Sequence, residues 1–112
     1  MTVSVSVLIP AKIAVASDTT QYTSTGVSTI IDKFTATCYD TVPRTISVNL
    51  VTSADTAGNQ NLIVKTKTLQ AGETYTFPEI VGFVLGSGDF ISTIASNATG
   101  VNIRASGRIV TN

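Results

Sequence analysis

The residue types that carry most acid–base, nucleophilic and metal chemistry are nearly absent from this chain. It contains no histidine and one cysteine, Cys38, among 112 residues. The Ser-His-Asp and Cys-His mechanisms therefore lack their base, and the usual zinc and copper sites lack their ligands. Cys38 occupies a core-facing position without a flanking proton acceptor, so we interpret it as a small buried hydrophobic residue. We expect a protein that is not an enzyme and that uses no metal and no cofactor.

The seven acidic residues form no recognisable catalytic or calcium-binding pattern. They make neither a D-x-D-x-D run nor an E-x-x-E pair, which calcium loops and paired-carboxylate hydrolases would favour. Asp40, Asp55, Glu73 and Asp89 flank predicted turns, where carboxylates commonly accept hydrogen bonds from backbone N–H groups. Asp89 has the most specific position, because it follows the glycine-rich residues 86–88 and can cap the turn that enters the next strand.

Three side chains remain as candidate protein-contact residues: Tyr22, Arg104 and Arg108. Arg104 and Arg108 lie four residues apart on the last predicted strand, so they point to the same face. They could contact a carboxylate on a neighbouring subunit, a phosphate or a glycan, and the alternative is an ordinary solvated strand face. Tyr22 lies in the polar residues 17–26, which we interpret as a loop that exposes an aromatic contact.

The charge balance argues against a nucleic-acid partner, and the hydropathy pattern argues against a membrane partner. Seven basic and seven acidic side chains give a formal net charge of zero, so no basic footprint for phosphates is expected. No window approaches the roughly 18 apolar residues that a membrane-spanning helix needs. The first residues also lack the basic and apolar pattern of a secretory leader. We expect a soluble protein made in a cytoplasm, with no nucleic-acid or membrane partner.

The composition predicts a β-protein. Thr and Ser supply 30 residues, and Val and Ile supply 24, while charged residues make up only 12%. Branched side chains suit a pleated sheet better than a helix. Seven or eight short strands separated by turn signals predict an all-β fold, a single antiparallel β-sandwich over residues 1–112. Both jelly-roll and immunoglobulin-like arrangements fit this pattern.

Periodicity assigns faces to individual strands. In residues 2–9 the alternation places Val3, Val5, Val7 and Ile9 on the inner face. In residues 27–39 the inner face comprises Ile30, Phe34, Ala36 and Cys38, with Asp32 as a charged exception. Residues 78–85 have the apolar spacing of one helical turn or an irregular plug.

The scarcity of charge predicts a protein that works in an assembly. A monomer normally depends on net charge for solubility, and edge strands normally carry charge or bulges that block further pairing. Both ends of this chain, residues 1–9 and 109–112, are uncharged. We therefore expect a homo-oligomer.

Five segments of the chain carry a resemblance to a known family: residues 22–23, 30–37 (IIDKFTAT), 69–75 (LQAGETY), 85–91 (LGSGDFI) and 101–110 (VNIRASGRIV). Together they resemble small, jelly-roll-like β-sandwich virion proteins of tailed bacteriophages, of the capsid decoration or cement type. The resemblance covers residues 20–111, with Cys38 standing where that pattern has Asn.

The resemblance implies a structural role on the virion. Such a protein binds the major capsid protein on the outer capsid lattice, often as a trimer, after synthesis in the host cytoplasm. Weak contacts to several subunits then add up through effective concentration. The alternative is a fibre-tip or receptor-binding module that recognises a host surface glycan through loops such as residues 17–26 or 53–60.

Overall fold

Nine strands in two antiparallel sheets build the fold, and the computed structural model describes residues 1–111. The strands are β1 (Thr2–Ile13), β2 (Thr19–Thr23), β3 (Ser28–Cys38), β4 (Arg44–Val51), β5 (Leu62–Leu69), β6 (Thr74–Tyr75), β7 (Val84–Leu85), β8 (Phe90–Ala95) and β9 (Val101–Thr111). A 3-10 turn, Asn59–Asn61, precedes β5. Within residues 1–111, no helix has the length and apolar character needed to cross a membrane. The all-β antiparallel sandwich is confirmed.

The strand order is that of a jelly roll. The front sheet has the order β1-β9-β3. The short strands β6 and β7 both pair with β3, β6 near its C-terminal end and β7 near its N-terminal end. The back sheet has the order β2-β8-β4-β5. An immunoglobulin sandwich keeps its first two strands in one sheet, whereas here β1 and β2 lie in different sheets. Counting β6 and β7 as two halves of one strand gives the eight strands of a jelly roll.

A bulge in β3 changes the faces that periodicity predicts. The register against β9 shifts between Ile31 and Lys33, so one extra residue is accommodated there. As a result Ile31 and Phe34 both point into the core, whereas Ile30 is half-buried and Asp32 is exposed. The predicted inner positions of Ile30 and Asp32 are therefore wrong. The bulge avoids the large cost of burying a carboxylate without a partner.

A register shift in β1 exposes the valines that were predicted to face inward. The pairing with β9 slips between Val7 and Ile9, and Leu8 and Ile9 are consequently both buried. Val3, Val5 and Val7 remain 51%, 86% and 50% exposed. The prediction of an inner face is correct for Ile9 and wrong for the three valines. The first half of β1 is thus an apolar strand that the fold leaves open.

The core lies between the sheets around two aromatic rings. Phe34 of β3 and Phe77, which follows β6, meet edge to face with centroids 5.0 Å apart. Residues 78–83 do not form a helical turn with one apolar face. Ile80 is fully buried, but Phe83 is exposed, and the segment instead bonds along β3 through the backbone of Ile31. This irregular connection separates β6 from β7.

Candidate protein-contact surface

The solvent-facing side of the front sheet, which we call the front face, carries two of the three predicted contact residues. Arg104 and Arg108 of β9 are both exposed and point outward, with the half-buried Ser106 between them. The prediction that they share a face is confirmed. On either side of β9, the front face is completed by the outward side chains of β1 and β3.

Asp32 and Arg108 form an ion pair across β3 and β9. Arg108 donates through Nη2 to Asp32 Oδ1 at 3.0 Å and through Nε to Oδ2 at 3.0 Å. The pair exists because the β3 bulge turns Asp32 outward. The bound carboxylate raises the pKa of the Arg108 guanidinium above its ordinary value. Asp32 is the one acidic residue on any strand in residues 1–111, so this pairing uses the only carboxylate of the front face.

Lys33 and Arg104 are left without a carboxylate partner within residues 1–111. They lie diagonally on neighbouring strands, because Arg104 is opposite Thr35 and Lys33 is opposite Ser106. All four side chains line a shallow groove of about 280 Å³. Two cations and two hydroxyls in one groove are suited to binding a carboxylate or another oxyanion, since the planar guanidinium matches carboxylate geometry.

An apolar band adjoins the cationic groove. Val5 and Val7 of β1 lie opposite Arg108 and Ser106 of β9, and Val3 continues the band at the sheet end. Val5 and Val7 line a second groove of about 330 Å³ together with Asp32 and Ser106. Ser106 lines both grooves, so the apolar and cationic parts form one continuous surface.

Charge is distributed unevenly between strands and connections. All seven Lys and Arg residues lie on strands, whereas six of the seven Asp and Glu residues lie in connecting segments. On β3 and β9 together, three cations and one carboxylate leave a formal charge of +2. The front face is therefore positive although the chain as a whole is neutral.

The acidic residues in the connections satisfy turn backbones, as predicted from their positions. Backbone N–H groups donate to Asp40, Asp55 and Glu73 at 2.7–2.8 Å. Asp89 accepts two such bonds at 2.9 Å, one from Gly86 in its own turn and one from residue 53 in a distant loop. Arg44 also donates to Asp40 at 2.7 Å, and this hydrogen bond, aided by the Thr41 N–H, lowers the pKa of the Asp40 carboxyl.

Tyr22 lies on a strand and not in the predicted loop. It belongs to β2 and is half-buried against the core. Its hydroxyl lies 2.8 Å from the Thr29 hydroxyl, which in turn lies 2.9 Å from that of Ser24. Both Ser24 and Thr29 are fully buried, so Tyr22 contributes to a buried hydroxyl network. Its role as a protein-contact residue stays a prediction.

Sequence reasoning missed four contact residues, Lys33 and the three exposed valines of β1. Their exposure on the front face depends on the register shifts in β3 and β1. Simple alternation assigned the valines to the core and gave Lys33 no role. Gly107 is the signal that was available in the sequence, since a residue without a side chain inside a strand often marks a bulge or a close backbone approach.

No protein-family model, no curated protein and no solved structure matches the chain. Within residues 1–111, no group of three or more Cys, Asp or Glu side chains is placed to hold a metal ion. The geometry defines a jelly-roll sandwich whose front face is both apolar and cationic.

Proposed function

We propose that this chain is a non-enzymatic structural protein of a phage virion, which decorates the outer capsid lattice as a homo-oligomer and binds the major capsid protein. The front face carries the proposal, because it combines exposed valines with two cations that have no counter-charge among residues 1–111. The jelly-roll order is consistent with it, since that fold is common among capsid proteins.

The front face has the composition of a protein-binding surface. The apolar band supplies area that gains by leaving water, and Lys33 and Arg104 would select a partner that presents carboxylates. A face of this size binds weakly on its own. On a lattice, an oligomer engages several capsid subunits at once, and each further contact benefits from the effective concentration set by the first. In this proposal the protein is made in the host cytoplasm and ends on the capsid surface.

The fibre-tip alternative rests on a different groove. The two segments expected to recognise a glycan both reach the back sheet, where Asp18 from one and Asn59 from the other line a shallow groove of about 190 Å³ that also contains the apolar side chains of Leu62 and Ile94. Asn49 and Lys65 of the neighbouring strands line the same groove. Amide and charged side chains around a shallow groove are suited to sugar hydroxyls.

Co-sedimentation with capsids that lack the protein tests the decoration proposal. The wild-type chain should bind to saturation at a fixed number of sites per capsid. The double variant Lys33→Gln/Arg104→Gln should bind at least about tenfold more weakly, because each lost charged contact weakens every repeated attachment. The control Lys65→Gln removes an exposed cation from the back sheet and should bind like wild type.

Two results would contradict the decoration proposal. One is the absence of the chain from purified virions, or its presence at only a few copies per particle. The other is a Lys65→Gln chain that loses glycan or cell-surface binding while the front-face variant keeps it, which would favour the fibre-tip alternative.

A further inference from the structure

The first half of β1 is an open strand edge without the usual protection. Among residues 1–111, β1 lies at the edge of the front sheet and pairs with β9 alone. Residues 2–7 (TVSVSV) contain no charge, proline or glycine, and all but Ser6 are exposed. Natural edge strands are normally blocked by such residues or by bulges. Here Pro10 and the register shift come only after Val7.

The open edge has a self-complementary sequence. Residues 3–7 read Val-Ser-Val-Ser-Val, a palindrome centred on Val5. When two such strands pair antiparallel about a two-fold axis at Val5, Val5 lies opposite its own copy, Val3 lies opposite Val7, and Ser4 lies opposite Ser6. A slip by one residue would place valines against serines and turn the valines of the two copies to opposite faces. A slip by two residues would leave one valine of each copy without a valine opposite, so the register centred on Val5 is favoured.

We propose that two copies of this chain join through the first halves of their β1 strands, antiparallel and about a two-fold axis at Val5. This inference specifies how the homo-oligomer of the proposed function would form. It rests on the proposed function only for the biological role of the dimer. An isologous contact closes with two copies. It therefore yields a dimer, whereas the family resemblance leads to the expectation of a trimer.

Charge favours a second copy as the occupant of this edge. The β1 strands of the two copies carry no charge within residues 2–7. The nearest cation on β9, Arg108, lies opposite Val5 but is already paired with Asp32. Two copies therefore meet without placing like charges opposite each other, which would destabilise a strand pair.

The length of the edge sets the strength of the contact. Five paired residues of each strand, 3–7, make a ribbon of about 17 Å at roughly 3.4 Å per residue. Such a ribbon falls within the class of small interfaces, below about 1,200 Å², that form transient complexes. The dimer should therefore depend on protein concentration in solution and be reinforced on a lattice.

The pairing would also give the dimer two binding faces that point the same way. The two-fold axis is perpendicular to the sheet, because Val5 pairs with its own copy. The front faces of both copies therefore lie on the same side of the joined sheet. The valines of both copies then form one band of six, flanked by two copies of the Lys33–Arg104 groove. A dimer of this shape attaches at two points, which increases avidity.

Cysteine cross-linking tests the register. Val5→Cys places two thiols directly opposite each other at a Cβ separation of about 4.5–5.5 Å, near disulfide range. Under mild oxidation this variant should form a disulfide-linked dimer. Val3→Cys alone should not, because its two thiols would lie about 14 Å apart along the ribbon. Mixing Val3→Cys with Val7→Cys should restore the link, and Cys38 is buried in every chain and contributes no background.

Light scattering tests the association without a cross-link. The wild-type chain should change from monomer to dimer as its concentration rises. Val5→Glu should stay monomeric with an unchanged melting temperature, because two carboxylates would face each other at the axis. The control Val84→Glu alters another exposed valine of the front sheet, one at the opposite edge, and should still dimerise.

The failures of the two proposals are distinguishable. A wild-type chain that stays monomeric at high concentration, a trimer, or equal cross-linking of Val3→Cys and Val5→Cys would overturn the β1 pairing while leaving capsid binding to be measured by co-sedimentation. A chain that dimerises in this register but does not bind capsids would overturn the proposed function and leave the pairing intact.

Discussion

A methyl group at position 107 would have no room. A Cβ built on Gly107 meets the carbonyl oxygen of Ile30 on β3 at less than the 3.0 Å that real Cβ atoms keep, and it meets Leu8 Cδ1 at 3.0 Å. Leu8 can move, but the carbonyl belongs to a strand that is paired with β9 on both sides of its bulge. Gly107 lies opposite Ile31, beside the β3 bulge. Gly107→Ala should therefore push β3 away from β9.

The cost should be near the upper end of the range for overpacking, which is about 1–3 kcal/mol, because the obstacle is backbone. A loss of about 3 kcal/mol corresponds to a fall in Tm of roughly 12 °C at about 4 °C per kcal/mol for a domain of this size. The loss should also disturb the neighbouring Asp32–Arg108 ion pair, since the bulge that orients Asp32 adjoins the contact.

Urea denaturation of Gly107→Ala beside a matched control measures this cost. The control is Gly72→Ala, at a turn glycine with φ +81° and no atom within 4 Å of an added Cβ. It should cost only about 1 kcal/mol, from the left-handed backbone alone. If Gly107→Ala were as stable as wild type, or lost no more than Gly72→Ala, the close approach of β3 and β9 would be refuted.

Two further predictions concern polar groups. Tyr22→Phe should lower the free energy of unfolding by about 1 kcal/mol, because the buried Thr29 hydroxyl loses a hydrogen-bond partner. The control Tyr39→Phe, at a residue that is 52% exposed, should change the free energy of unfolding little. Urea denaturation of both variants checks this. The pKa of Asp40 lies below its ordinary value of 3.8, chiefly because Arg44 donates to it, so its contribution to stability is complete above that pH and declines as the pH falls further. Asp40→Asn should therefore show a smaller fall in Tm than wild type between about pH 5 and pH 2, and an equal fall would contradict the role of this ion pair.

Local chemistry made much of the fold predictable from the sequence. Strands follow from runs of alternating β-branched residues, and Asp89 behaves as its position after residues 86–88 predicts, because a carboxylate and nearby N–H groups are enough to decide its contacts. The burial of Cys38 was predictable for the same reason, since it continues the alternation of Phe34 and Ala36.

The composition of the front face was not predictable from alternation, because a period of two residues loses its phase at every register shift. One bulge in β3 turns Asp32 outward, and one shift in β1 leaves Val5 exposed. Neither depends on local propensity. Both depend on how β1 and β3 pair with β9, which is distant in the sequence. Gly107 of β9 also contributes, because it lets Ile30 and Leu8 approach the β9 backbone closely.

The formal neutrality of the chain also conceals the character of its surface. Five of the six acidic residues outside the strands accept hydrogen bonds from other groups of residues 1–111, and the exception among them is Asp18. Their oxygens are thus committed to turns and neighbouring side chains. In the part of the chain that the structure describes, the single carboxylate of the front face is bound by Arg108, while Lys33 and Arg104 are left without a counter-charge. Because the charge left on that face is positive, the capsid partner that we propose should present carboxylates there, an expectation that net charge alone would not have suggested.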